Sequence, residues 1–174
     1  WRCPAGCLRS AAKRRILKQL EISDLKTCFR TEQGHIYAAD GISFSIDSGK
    51  TLALVGESGC GKSVTSLSIM RLIPQPGGEI TAGSIKLSGI DLLTLTEKEM
   101  QKIRGGKISM IFQEPMTSLN PVFTIGFQIK ETIMLHQNKN TREAKKLSIA
   151  LLKKAGNPDP EARYDQYQHQ LSGG

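Results

Sequence analysis

Aromatic side chains are scarce. Five Phe, three Tyr and one Trp make up 5% of the 174 residues. A protein that grips single strands of nucleic acid by stacking needs several such rings on one surface. The net charge of +8 therefore has no stacking platform to work with, and nucleic acid is not the expected partner. The basic residues gather at 13–18 and 139–154 and read as solvated helix faces, or as a surface close to an anionic membrane. Long apolar runs are missing too. No stretch approaches the roughly 20 residues that a membrane-crossing helix needs. Arg2, Arg9, Lys13, Arg14 and Arg15 are followed by no apolar segment of signal-peptide length. The expectation is a soluble or peripheral protein. Cysteines number four, Cys3, Cys7, Cys28 and Cys60. Cys3 and Cys7 make half of a metal site with no second pair downstream, so reduced thiols are expected. With 39% hydrophobic residues, the chain can build the core of one domain or of a large part of one.

What is present is a phosphate-binding signature. Gly56-Glu57-Ser58-Gly59-Cys60-Gly61-Lys62-Ser63 matches G-x-x-x-x-G-K-[ST] at every fixed position. The pattern has a mechanism. Glycines let the backbone bend tightly and approach an anion without a Cβ in the way. A helix starting at the loop's end turns its free N–H groups and positive dipole end toward the same point. Lys62 adds a mobile positive charge at the β/γ phosphates, and the Ser63 hydroxyl suits Mg²⁺. The context agrees. Thr51–Val55 is a short apolar run that reads as a buried parallel strand. Residues 64–72 space their apolar side chains like a helix.

The remaining pattern frames an α/β chain. Residues 1–19 read as a tail to which no function is assigned. A strand runs from Leu20 toward Phe29, residues 31–34 turn, and Ile42, Phe44 and Ile46 alternate with serines as a half-buried antiparallel strand. Residues 74–78 form a loop, and 83–89 a short strand between glycines. Thr96-Glu97-Lys98-Glu99 is a capping-box start for a helix through about Arg104, which Gly105-Gly106 stops. Lys107–Phe112 reads as a core strand ending at Gln113. Beyond it, a loop carrying Pro115 and Pro121 leads to a helix over 125–136, with Ile125, Ile129, Thr132 and Ile133 on one face. A second helix, capped by Thr141, runs to about Ala155 with Leu147, Ala150, Leu151 and Lys154 at helical spacing. The expected fold is an α/β P-loop NTPase (RecA-like), with an N-terminal antiparallel β layer and the P-loop core over 20–114 and a helical insert over 115–170.

Taken together, the phosphate loop, Phe112-Gln113-Glu114-Pro115-Met116-Thr117-Ser118-Leu119-Asn120-Pro121 and the terminal Tyr167-Gln168-His169-Gln170-Leu171-Ser172-Gly173-Gly174 resemble the ATP-binding subunits of ABC transporters. Within that family they look like the oligopeptide/dipeptide/nickel importer branch. The resemblance covers residues 20–174. It implies ATP and Mg²⁺ as ligands. Residues 56–63 would be the Walker A loop, with Lys62 and Gln113 in catalytic roles and Ser63 and Gln113 at the metal. Phe29 would stack on adenine, with Tyr37 as its rival. Ser172, Gly173 and Gly174, over 171–174, would begin the signature that meets nucleotide held by a second subunit. Partners would be transmembrane permease subunits, a second ATP-binding subunit in a head-to-tail dimer and, indirectly, an extracytoplasmic solute-binding protein. The location would be the cytoplasmic face of the plasma (inner) membrane.

The sequence departs from that family in stopping at Gly174. The Walker B Asp, the adjacent catalytic Glu and the switch His have no counterpart, and phosphoryl transfer depends on such positioning groups. Glu114 is not assigned their role. The expectation is an N-terminal fragment, truncated before Walker B, that binds nucleotide weakly and is inactive alone. Cys60 stands where a smaller residue is more frequent, which predicts sensitivity to alkylation. Two other readings compete: a soluble ABC-type ATPase acting on nucleic acid, and an unrelated P-loop GTPase or kinase. The cargo is left open among dipeptide, oligopeptide, nickel and glutathione.

Overall fold

A computed structural model describes residues 18–32, 34–113 and 118–171. Its contacts divide the chain into two units, 1–95 and 96–174. In the first unit, β1 (Lys18–Thr31), β2 (Gly34–Asp47), β3 (Gly78–Leu87) and β4 (Ile90–Asp91) form one antiparallel sheet in the order β2-β1-β3-β4. β1 is central and pairs on both sides, from Leu20↔Leu87 to Phe29↔Gly78 on one edge and from Lys18↔Asp47 to Thr31↔Gly34 on the other. The alternation of Ile42, Phe44 and Ile46 is met as expected, half-buried against exposed Ser43 and Ser45. Leu20, Ile22, Leu25, Ile85, Leu87 and Leu92 are buried. Each such aliphatic side chain contributes about 1.5–3 kcal/mol when fully removed from water.

The one described helix of this unit is α1 (Lys62–Met70). Arg71 follows it in a left-handed conformation, and its guanidinium donates to the carbonyls of Leu92 (3.1 Å) and Leu95 (2.6 Å). These bonds tie the end of α1 to the segment after β4, where a 3₁₀ turn covers Leu92–Thr94.

The second unit is helical. α2 (Glu97–Ile103) starts on the capping box read from the sequence: the Thr96 hydroxyl accepts from the Glu99 amide, and the Glu99 carboxylate accepts from the Thr96 amide at 2.8 Å. α3 (Ile125–Gln137), α4 (Thr141–Lys154) and a short α5 (Pro160–Tyr164) follow. Their core joins Ile125, Leu152 and Tyr164, with Ile129, Ile149 and Leu171 against it. Gly126 lets α3 lie on the Tyr164 ring, since a Cβ there would come within 2.3 Å of it.

Several expectations need correction. The runs 51–55 and 107–112 form no ladder among the described residues; the nearest thing is a single parallel bridge, Arg104↔Ile108. A parallel strand is stabilised by neighbours on both edges. Without them the apolar side chains stay outside, with Val55 89% and Ile111 93% exposed. α4 is capped by Asn140, whose side chain accepts from the Glu143 amide at 2.9 Å, and not by Thr141. Its buried stripe is Ala144, Ser148 and Leu152, whereas Leu147 and Leu151 are exposed. Small side chains on the inner face let α4 approach its neighbours closely, and that closeness outweighs the greater hydrophobicity of the leucine stripe. Thr132 likewise lies outside the buried face of α3. β3 begins at Gly78, five residues earlier than the glycine-bounded strand read from the sequence.

Candidate functional site

The phosphate loop ends in the geometry its sequence demands. Gly61 caps α1 at φ +91, in the left-handed region, and a Cβ on it would meet the Ala38 carbonyl at 2.0 Å. Both the dihedral and the β2 backbone therefore require glycine. The first helical bond of α1 runs from the Thr65 amide to the Gly61 carbonyl at 2.8 Å. The amides of residues 61–64 thus open the helix without intrahelical acceptors. No side chain caps this end. An uncapped helix N-terminus carries about half a positive charge.

Lys62 is folded back onto the loop. Its ammonium donates to the carbonyls of Gly56 (2.8 Å) and Glu57 (2.6 Å) and lies 3.3 Å from Cys60 Sγ. The Cys60 amide donates to Glu57 at 3.3 Å, closing the turn. Residues 56–60 and Ser63 are exposed. Oriented amides, a helix dipole and a mobile ammonium converge here, which is a donor set suited to phosphate oxygens. The exposed Ser63 hydroxyl, in the first turn of α1, fits Mg²⁺ carried in with the phosphates, because Mg²⁺ takes few protein ligands beside substrate phosphates. Among the described residues no group of three His, Cys, Asp or Glu side chains gathers to hold a metal by itself.

Phe29 lies two positions beyond Thr27 in β1, in unbroken register with β3, and its ring packs beside Gly78. Tyr37, paired with Cys28, is 55% exposed. Gln113 is exposed and belongs to the second unit. Ser172, Gly173 and Gly174 lie outside the described residues, as does Glu114.

Sequence reading missed two contacts that seat α1. One is the approach of Ala38 to Gly61. The other is a buried bond between the hydroxyls of Thr27 and Ser68, 2.8 Å apart. A run of hydroxyl residues in α1, Thr65, Ser66 and Ser68, was the available signal for the second.

Comparison with known proteins follows the same lines. The family model described as ABC transporter matches residues 39–174. The oligopeptide transport ATP-binding protein OppD of Bacillus subtilis (strain 168) is 49% identical over 160 residues, covering 92% of this chain and 45% of the relative. AppD of the same organism, also described as an oligopeptide transport ATP-binding protein, is 52% identical over 155 residues, covering 89% and 47%. The chain spans about half the length of these curated relatives. Among solved structures, the dimeric structure of MJ0796, a bacterial ABC transporter cassette, superposes with a TM-score of 0.76 at 24% identity, over 88% of this chain and 63% of the other. At that identity the likeness concerns the fold. No helix among the described residues is long and apolar enough to cross a membrane.

Proposed function

The chain belongs to the ABC transporter family, and we propose that within it this protein binds ATP as part of the energy-coupling subunit of a peptide importer. The observation that carries the reading is the identity of about half of all positions, across nine-tenths of the chain, to two oligopeptide transport ATP-binding proteins. The loop geometry supports it. The amides of residues 61–64 and the Lys62 ammonium hold the phosphates, and Ser63 holds Mg²⁺, which neutralises phosphate charge when bound. Lys62 leaves the Gly56 and Glu57 carbonyls for the phosphates. Phe29, or its rival Tyr37, which is paired with Cys28, stacks on the base. Gln113 senses the nucleotide and relays its state to permease subunits. Ser172, Gly173 and Gly174 serve the nucleotide of a second subunit in a head-to-tail pair. ATP then joins two half-sites, and its differential affinity for the closed pair does the work of transport. The subunit sits peripherally at the cytoplasmic face of the membrane, and a solute-binding protein delivers the peptide outside; nickel is the minor alternative as cargo.

Titration with a fluorescent ATP analogue tests the binding site. Lys62→Ala should weaken binding at least about tenfold, the loss of more than one charge-assisted hydrogen bond. Unchanged affinity would refute the site. Peptide-stimulated hydrolysis in the assembled transporter tests the cargo.

A further inference from the structure

We propose that the buried Thr27–Ser68 hydroxyl pair is a positioning device that locks the phosphate cradle to the base-binding β layer, so that both ends of one nucleotide are gripped together. The inference rests on the ATP reading above and adds a residue to it.

Both side chains are fully buried, and their oxygens are 2.8 Å apart. The direction of the bond follows from the neighbours. Ser68 already donates its proton to the Val64 carbonyl at 2.7 Å, so its oxygen accepts and Thr27 donates. The pair joins β1 to α1, whose buried residues are the hydroxyl-bearing Thr65 and Ser68 and the apolar Ile69 and Met70. Dispersion between apolar side chains is non-directional, whereas a hydrogen bond fixes angle and register. The bond therefore adds a directional constraint on α1 that its apolar contacts do not give, beside the Arg71 bonds at the C-terminal end of the helix.

Each partner leads to one end of the proposed ligand. Ser68 shares α1 with Lys62 and Ser63. Thr27, Cys28 and Phe29 pair without a break to Ile80, Glu79 and Gly78 of β3, so Phe29 lies on the face of β1 that Thr27 turns toward α1. Tyr37 is paired with Cys28, across a register shift from Thr27, so it belongs to the other face and the bridge bears on Phe29. A ligand held at two sites gains affinity only when the sites keep their spacing. Loosening the bridge should therefore cost ATP and spare a ligand that touches the cradle alone.

The test is calorimetric titration of the full chain with ATP and, separately, with inorganic tripolyphosphate, both with Mg²⁺. In Thr27→Val, which keeps the shape and removes the donor, the Kd for ATP should rise about three- to tenfold, the usual weight of one net hydrogen bond. The Kd for tripolyphosphate should stay put, and Thr27→Ser should restore ATP affinity. Equal weakening of both ligands, or no change in either, overturns the proposal. Should circular dichroism show Thr27→Val unfolded, Ser68→Ala is read by the same two titrations. A wild-type chain that binds neither ligand, or a Lys62→Ala chain that binds both as well as wild type, overturns the ATP reading itself; equal weakening in Thr27→Val overturns only the bridge.

Discussion

Gly61 shows how one position can be fixed twice. Its φ of +91 disfavours any L side chain, and the Ala38 carbonyl leaves no room for a Cβ. Gly61→Ala should cost about 1–3 kcal/mol from the backbone alone, visible as a lower urea midpoint, and should abolish nucleotide binding by tilting α1. Glu99 offers a contrasting case of charge. Hydrogen bonds from the Thr96 side chain and backbone hold its carboxyl below the ordinary carboxylate range. A depressed pKa contributes stability above the unfolded value and loses it as pH falls through the folded one. The Thr96 and Glu99 amide resonances should therefore shift together on acidification, at a pH below the usual glutamate midpoint, and Glu99→Gln should remove that transition. The Thr96–Glu99 box and the glycine at 61 were both legible in sequence, because each is a local rule about one turn of backbone. Phe29 and Tyr37 were not separable, because a lone aromatic at a strand end packs equally well on a glycine, as Phe29 does on Gly78, or on a base.

At the level of elements, α4 marks where pattern reading fails. Leu147 and Leu151 lie four residues apart, one helical turn, yet Leu151 is 48% exposed while Ala144 and Ser148 are buried. Periodicity finds the period of a helix, not which of two stripes a neighbour selects. That choice depends on how near α3 and α5 come. Lys145 over the Tyr164 ring, 4.9 Å from its centre, shows the inner edge of the interface. Ala144→Leu should overpack this seam and destabilise the second unit by about 1–3 kcal/mol. Leu151→Ala should cost clearly less than that. Thermal melts of the two variants would decide between the stripes, and the reverse order would restore the leucine face.

For the whole molecule, the β1–β2 hairpin was readable because its strands adjoin in sequence, whereas the β1–β3 pairing, from Leu20↔Leu87 to Phe29↔Gly78, joins distant segments. The runs 51–55 and 107–112 were read as strands by composition alone, and β propensity expresses what lies beside a strand as much as the strand itself. Hydrogen exchange should show this contrast. Amides of β1, bonded on both edges, should be protected to near the global limit, while those of 52–55 and 109–112 exchange rapidly. Strong protection of 52–55 in the isolated chain would contradict the unpaired state. On the proposed ATP reading, nucleotide would engage the same unit through Lys62, whose ammonium already has two carbonyl partners. An incoming triphosphate meets a cation that must first swing free. The affinity gained is then the difference between the phosphate contacts made and the two carbonyl bonds given up, so the loop competes with its own ligand.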